Sequence, residues 1–228
     1  MGVDYSDRFI PLATWLEWNN CCLRTWRNMD DKYVSFQELE RAERRGVYCV
    51  LSRPRKATIA VIAPHGGKIE PGTSEVARKI AGADFSFYAF EGRKKKGNKS
   101  LHITSTRFDE PICLALVRAA ECIIAIHGEN SNEKVVFLGG RDEAKVRRLG
   151  EVLEQRGFCV KAHKSARLQG TSLANICNRG RARAGVQIEL TNGLRRSFFR
   201  SLSSKGRKTP TRVLGEFVSA VREVLQGV

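Results

Sequence analysis

Two histidines stand where apolar runs of the sequence end. His65 follows TIAVIAP, and Glu70 lies five positions further along the chain, while His127 follows CIIAI. Two imidazoles and one carboxylate form the ligand set of many catalytic zinc sites, in which the fourth position is left to water. A single histidine at a strand end is usually structural, but two of them with a nearby acid favour a metal. The sequence therefore predicts that His65, Glu70 and His127 bind Zn²⁺.

The residues between His65 and Glu70 fit this prediction. Gly66 and Gly67 follow the histidine directly. The chain must turn sharply after the strand if Glu70 is to return to the metal, and glycine permits such a turn because it has no Cβ. We therefore expect the two glycines to form the turn between the two ligands.

Glu189 is a candidate catalytic residue. It stands between Ile188 and Leu190 in the apolar run VQIELT. Burial of an ionised carboxylate is costly unless the group is paired. A structural ion pair with an arginine would explain it, and so would a role as the general base that takes a proton from water. The residues alone leave both alternatives open.

The pattern of elements brings these residues together. Short apolar runs alternate with segments of helical periodicity, which predicts an α/β domain whose strands are buried on both faces. The predicted strands are 47–52, 58–63, 85–90, 122–127, 135–140, 158–162 and 186–191. Because open α/β sheets carry their sites at the carboxyl ends of the strands, the ends near His65, His127 and Glu189 should converge if their strands are parallel neighbours.

Several helices have recognisable starts. Ser35 with Glu38 forms a capping box, and Thr73 and Asp109 are candidate N-caps for the helices that follow them. Residues 142–155 have apolar residues at helical spacing, which predicts a further helix. A last amphipathic helix is predicted over about 210–226, where the apolar residues recur at helical spacing.

Length and composition indicate one main domain. The chain has 228 residues, of which 42% are hydrophobic, so it can bury a substantial core. We expect a single domain over 31–228, with 1–30 as a helical, tryptophan-containing extension packed on it. The apolar runs are shorter than the roughly 18 to 20 residues that span a bilayer, which predicts no membrane segment.

The cysteines and the first residues indicate a compartment. The seven cysteines are an odd number without metal-finger spacing, and several lie in apolar runs, so we expect free buried thiols. The first residues lack a basic region followed by an apolar core, so we do not expect them to act as a secretion signal. A cytoplasmic protein is predicted, which could leave the cell by lysis.

The chain is strongly basic. It contains 40 Lys and Arg against 24 Asp and Glu, for a formal net charge of +16. Such a field attracts polyanions without specifying which one. The basic residues cluster in loop-like segments, among them 53–56, 92–99, 179–183 and 203–208.

Five sequence blocks follow one another along the chain: HGGKIEPGTSEVA, NKSLHITSTRFDEP, IAIHG, NICNRG and GVQIELTNGLR. In order and spacing they resemble the poly-gamma-glutamate hydrolase family of phages and bacteria, and the resemblance extends over about 31–199. It implies a zinc carboxypeptidase-like enzyme with a three-layer α/β/α fold and a mixed, mostly parallel sheet. By this resemblance His65, Glu70 and His127 match the zinc ligands, and Glu189 matches the catalytic carboxylate.

The resemblance also implies a substrate. Members of the family hydrolyse the γ-amide links of poly-γ-glutamate, an anionic polymer that a cationic groove would attract. Arginine binds both oxygens of a carboxylate, so Arg195, Arg179 and Arg107 are candidate substrate-binding residues. His102 is a further candidate donor to the substrate.

Two other functions remain open at this point. A zinc amidohydrolase or carboxypeptidase would use the same metal residues but would act on another acidic amide and not on the polymer. A nucleic-acid-binding module would use the same positive charge without catalysis, but the sequence has no recognition motif of the usual modules, so this partner is not expected. The sequence leaves the oligomeric state open.

Overall fold

The computed structural model describes residues 31–227 of the chain. The predicted helical extension over 1–30 lies outside the described residues. Among the described residues, no helix is both long and apolar enough to cross a membrane.

A mixed sheet of seven strands forms the centre of the domain. The spatial order is β1-β3-β2-β4-β7-β5-β6. The four strands β3, β2, β4 and β7 run parallel, whereas β1 and β5 are antiparallel to β3 and β7. The strands are β1 Tyr48–Arg53, β2 Ile59–Gly67, β3 Ser86–Gly92, β4 Cys122–Glu129, β5 Val135–Gly140, β6 Cys159–Lys161 and β7 Val186–Thr191. The predicted strands are thus present, and the mixed, mostly parallel sheet is confirmed.

Helices cover both faces of the sheet. They are α1 Phe36–Ala42, α2 Thr73–Ala81, α3 Pro111–Ala119, α4 Glu143–Gln155, α5 Asn192–Phe198 and α6 Arg212–Gln226. One hydrophobic core joins the sheet to α2, α4, α5 and α6. A second core on the opposite face contains residues of α1 and α3. The predicted three-layer α/β/α architecture is confirmed.

Alternation along the strands assigns the site to one face. Ile188 and Leu190 of β7 point into the core shared with α6, so Glu189 between them faces the side of α3. His127 pairs in register with Glu189 on the neighbouring strand. The catalytic candidate and one predicted metal ligand therefore lie side by side on the same face.

The helix starts follow the predictions in part. The hydroxyl of Ser35 accepts a hydrogen bond from the amide of Glu38, as predicted. The helix predicted over 142–155 is present, and Asp142 caps it by accepting a hydrogen bond from the amide of Lys145. The prediction for Thr73 was wrong, because Gly72, with φ 103°, is the N-cap and Thr73 is the first helical residue.

The predicted cap of α3 was also wrong by one residue. The carboxylate of Glu110 accepts hydrogen bonds from the amides of Ile112 and Cys113. Asp109 instead accepts a hydrogen bond from the amide of Phe36 at the start of α1. Asp109 therefore ties α1 to the start of α3, a contact between distant segments that the sequence does not reveal.

Candidate metal centre

The three polar strand ends meet at one edge of the sheet. β2, β4 and β7 are neighbours and parallel, so their carboxyl ends lie together. His65 is near the end of β2, and His127 and Glu189 are paired near the ends of β4 and β7. The convergence expected from the order of elements is present.

His65, Glu70 and His127 form a compact donor set. The Nδ1 atoms of the two histidines are 3.2 Å apart, and Nδ1 of His65 is 3.3 Å from Oε1 of Glu70. Nδ1 of His127 is 4.0 Å from Oε2 of Glu70. One ligand atom from each residue lies within 4.8 Å of the other two. Two imidazole nitrogens and one carboxylate oxygen are the donors of catalytic zinc sites, so this donor set fits a zinc ion.

A backbone contact assigns the tautomer of His65. Nε2 of His65 is 2.8 Å from the carbonyl oxygen of Ile103. A carbonyl oxygen only accepts, so Nε2 carries the hydrogen and Nδ1 presents its lone pair to the donor set. Nε2 of His127 lies 3.5 Å from Oγ of Ser105. Residues 103–105 thus contact the far nitrogens of both histidines, as the outer shell of a metal site does.

The turn between His65 and Glu70 depends on glycine. The amide of Glu70 donates a hydrogen bond of 2.9 Å to the carbonyl oxygen of His65, which closes the turn. Gly67 has φ +67°, and a Cβ there would lie 2.6 Å from the carbonyl oxygen of Gly92 in β3. The glycine is therefore required by both the backbone conformation and the neighbouring strand.

The carboxylate of Glu70 is held in place from β4. Its Oε2 accepts a hydrogen bond of 2.8 Å from the amide of Gly128, the residue after His127. A Cβ at Gly128 would lie 2.9 Å from Cβ of Glu70. The backbone of β4 thus brings His127 to the site and also positions the carboxylate from the loop after β2.

Comparison with known proteins identifies the family. Residues 33–220 match the model of the poly-gamma-glutamate hydrolase family. The chain belongs to this family. The structure superposes on a bacteriophage poly-gamma-glutamate hydrolase with a TM-score of 0.83 at 29% identity, covering 86% of this chain and 97% of that one. The predicted resemblance is confirmed.

Relatives of the chain also occur in Bacillus subtilis (strain 168). The prophage-derived protein YoqZ is 35% identical over 197 residues, covering 86% of this chain and 72% of YoqZ. YndL is 38% identical over 179 residues, covering 78% of this chain and 71% of YndL. The zinc-free structure of YndL superposes with a TM-score of 0.83 at 36% identity, covering 86% of this chain and 98% of that one.

The site of this poly-gamma-glutamate hydrolase family member favours a neutral His127. Burial lowers the pKa of His127 to about 3, and the charge of the His65 imidazole adds to the effect. The ring is therefore neutral near pH 7, which is the form that binds a metal. Burial opposes ionisation of Glu70, but the nearby imidazoles, chiefly His65, outweigh it and lower the pKa of Glu70 to about 2. Near pH 7 His127 is therefore neutral and Glu70 is ionised, as binding of a metal by these two side chains requires.

Glu189 has the opposite environment. Burial raises the pKa of Glu189 well above its usual value, and the charges of Glu70 and Glu129 raise it further. A carboxyl group with a raised pKa holds its proton more strongly than an ordinary one. The Nε2 atom of Gln187 donates a hydrogen bond of 3.0 Å to Oε1 of Glu189. The ion pair with arginine considered from the sequence is not among the described salt bridges.

His102 lies against the donor set on its more exposed side. The centroid of its ring is 3.9 Å from that of His65, and its Nε2 is 4.0 Å from Oε1 of Glu70. Its side chain is 31% exposed, compared with 2% for His65 and 4% for His127. A ligand that approaches from solvent would therefore meet His102 first.

Arg195 and Arg179 contact the protein's own backbone. Arg195 is buried and donates to the carbonyl oxygens of Leu190, Pro71 and Glu129. Arg179 is half-buried and donates to three carbonyl oxygens, those of Ala174, Phe108 and Thr106. Arg107 is also half-buried, and its amide donates to the carbonyl oxygen of Thr104. Substrate binding by these arginines stays a prediction, whereas a backbone-holding role for Arg195 and Arg179 is a feature that the sequence did not indicate.

Ile103, Ser105 and Gln187 contact the histidines and Glu189 from behind and were not predicted from the sequence. Ile103 and Ser105 belong to one of the five family blocks but carry no chemical signal of their own. Gln187 has a signal, because it stands two positions before Glu189 in an otherwise apolar strand. Residues two apart in a strand share a face, so two polar residues at this spacing indicate a polar contact inside the domain.

Proposed function

We propose that this chain hydrolyses the γ-amide links of poly-γ-glutamate with a zinc ion held by His65, Glu70 and His127. The observation that supports the proposal is the compact donor set, whose ligand atoms lie within 4.8 Å of one another in a chain of this family. Zinc, when bound, supplies a Lewis acid that acidifies a water molecule and polarises the scissile carbonyl group.

Glu189 is the general base in this proposal. Its carboxylate takes a proton from the attacking water as the oxygen of that water bonds to the amide carbon. The C–N bond then breaks, and Glu189 returns the proton to the leaving nitrogen, so the carboxylate is regenerated. Its position beside His127 supports this role.

The polymer is attracted by exposed cationic residues that precede His102 in the sequence. Lys95, Lys96 and Lys99 are exposed in the basic segment 92–99, which leads along the chain to His102. Their charges attract the carboxylates of the substrate, and salt weakens that attraction. His102 donates to the bound substrate, and Arg107, Arg179 and Arg195 remain candidate carboxylate contacts.

The substitution Glu189→Gln tests the base. We expect a fall in kcat of about 100-fold or more with zinc content unchanged, because the side-chain amide of glutamine cannot take a proton from the attacking water. Glu143→Gln, at an exposed position on α4, is the matched control and should leave kcat unchanged. Cleavage of poly-γ-glutamate at the wild-type rate by the zinc-loaded Glu189→Gln protein would end the assignment.

The substrate class needs its own measurement. The zinc-loaded protein is incubated with poly-γ-glutamate, poly-α-glutamate and small acylated acidic amino acids, and the new amine ends are counted. We expect cleavage of the γ-linked polymer. Cleavage of the small amides alone would favour the alternative amidohydrolase, and salt-dependent DNA binding by His65→Ala protein without any hydrolysis by the wild type would favour the nucleic-acid alternative.

A further inference from the structure

The carboxylate of Glu189 is linked to two buried amide side chains. Gln187 and Asn175 are only 2% and 3% exposed. Nε2 of Gln187 donates to Oε1 of Glu189 over 3.0 Å, and Nδ2 of Asn175 donates to Oε1 of Gln187 over 2.8 Å. The three side chains therefore form one hydrogen-bonded row beneath the site.

Backbone groups at two points fix the direction of this row. The amide of Cys177 donates to Oδ1 of Asn175 over 3.1 Å, so Asn175 must turn its NH₂ group towards Gln187. The carbonyl oxygen of Leu168 accepts from Nε2 of Gln187 over 3.0 Å. A backbone amide only donates and a carbonyl only accepts, so neither side-chain amide can be reversed without losing these bonds. Gln187 therefore presents an N–H group to Glu189.

Close packing holds Gln187 in this orientation. Gly170 has φ +66°, and a Cβ there would lie 2.8 Å from Cβ of Gln187 and 3.0 Å from its Oε1. The side chain of Asn178 donates to the carbonyl oxygen of Gly170 over 2.7 Å, which fixes the backbone against Gln187. The amide of Gln187 thus has partners at both its oxygen and its nitrogen and no free space beside Gly170.

We propose that Gln187, oriented by Asn175, is a positioning residue that holds Oε1 of Glu189 and leaves Oε2 free to exchange the proton with water. The inference rests on the proposed role of Glu189 as general base. A carboxylate whose one oxygen is occupied by a donor keeps a single rotamer, so the other oxygen is presented to the reacting water in a constant direction. Asn175 acts one step further away, because it prevents Gln187 from turning its carbonyl oxygen towards Glu189.

Gln187→Met tests this role because methionine has similar length and no N–H group. We expect kcat on poly-γ-glutamate to fall about 10- to 100-fold, with KM within about twofold of the wild type and zinc content unchanged. Gln155→Met is the matched control, since Gln155 is exposed at the end of α4, and it should leave kcat unchanged.

Two further variants keep the test informative if Gln187→Met folds poorly. Gln187→Glu can still accept from Asn175 but cannot donate to Glu189, so kcat should fall at least as far. Asn175→Asp still accepts from the amide of Cys177 and loses its donor to Gln187, so kcat should fall by less. Adding Asn175→Asp to the Gln187→Met protein should then lower kcat no further, because Asn175 acts on Glu189 only through Gln187.

The outcomes separate this inference from the proposed function. If Glu189→Gln is inactive but Gln187→Met and Gln187→Glu keep kcat within about twofold of the wild type, the positioning role is wrong and the general base stands. A loss of zinc or a change in KM alone would also overturn the positioning role. If Glu189→Gln remains active, the proposed function itself is wrong.

Discussion

The guanidinium of Arg195 donates a hydrogen bond of 2.7 Å to the carbonyl oxygen of Pro71, although 124 positions separate the two residues. Its other nitrogens donate to Leu190 and Glu129 over 3.0 and 2.9 Å. Pro71 follows Glu70, Glu129 stands two places after His127, and Leu190 follows Glu189. One buried side chain therefore joins the three backbone segments that carry the predicted ligands and base.

Arg195→Lys should weaken the metal site without removing a ligand. Lysine keeps the charge but lacks the planar fork that bonds three carbonyl oxygens at once. We expect the free energy of unfolding to fall by about 2–3 kcal/mol and zinc affinity to fall about 10-fold. Denaturant titration and competition with a chelating dye measure the two effects.

The neighbouring residue gives a matched control. Arg196→Lys changes an exposed arginine of the same helix α5 and should alter neither quantity. Unchanged zinc affinity in the Arg195→Lys protein would mean that the three segments hold their positions without the guanidinium.

Gly128→Ala should disturb the same region by crowding it. A Cβ at this position would lie 2.8 Å from Cζ of Arg195 and 2.9 Å from Cβ of Glu70. Because both neighbours are held by hydrogen bonds, we expect a loss of about 1–3 kcal/mol in stability and weaker zinc binding. Gly215→Ala is the control, since its Cβ would meet nothing within 4 Å in helix α6. That change should stabilise the protein by about 0.5–1 kcal/mol.

The sequence predicts the elements of this fold better than the contacts between them. The apolar runs identify the strands because β2, β4 and β7 are buried along nearly their whole length, and the rule for parallel strand ends then brings His65, His127 and Glu189 together. The family blocks give the rest of the predicted site. Periodicity and order along the chain were sufficient for these conclusions.

The features that were missed depend on distances between remote segments. Helix α5 begins with Asn192 and Gly193, a pair that usually indicates a turn. In the structure Gly193 lies inside the helix, where it permits a close approach of the loop before β5. A Cβ at Gly193 would lie 2.0 Å from the carbonyl oxygen of Asn132. The backbone contacts of Arg195 likewise have no local signature, so a buried arginine cannot be distinguished from a substrate-binding one in the sequence.

Removal of the metal provides a direct test of the donor set. The chelated wild-type protein should lose hydrolysis and unfold at a lower temperature, because a ligand that binds only the folded state stabilises it. Added zinc should restore both properties. His127→Ala should show neither the loss nor the recovery, since one of the three ligands is already missing. Full activity of the wild type after exhaustive chelation would contradict a metal-dependent reaction.

The basic segment 92–99 is tied to α1 by a carboxylate. Nζ of Lys94 is 2.6 Å from Oε1 of Glu43, and the Tyr33 hydroxyl donates to the same oxygen. The carbonyl oxygen of Lys94 also accepts from Nζ of Lys68, two places before Glu70. Burial raises the pKa of Glu43, but hydrogen bonds from Lys94, Tyr33 and Lys32 outweigh it and lower that pKa to about 2.

Because the pKa of Glu43 is lowered in the folded protein, part of the free energy of unfolding is lost when the pH falls. The usual pKa of a glutamate is 4.5, so the unfolded chain takes up the proton first as the pH falls. The contribution of Glu43 is therefore complete above about pH 5 and is lost as the pH falls towards about 2. Because water screens the edge of this ion pair, we expect it to contribute about 1 kcal/mol at neutral pH.

Glu43→Gln should remove this component. Its free energy of unfolding should be about 1 kcal/mol below that of the wild type at pH 7, and the difference should shrink between about pH 5 and pH 2. Glu40→Gln, at an exposed position of helix α1, of which Glu43 is the C-cap, should follow the wild type throughout. Denaturant titrations at several pH values measure both differences. A constant difference across this range would show that Glu43 stabilises the contact with Lys94 through packing and not through its charge.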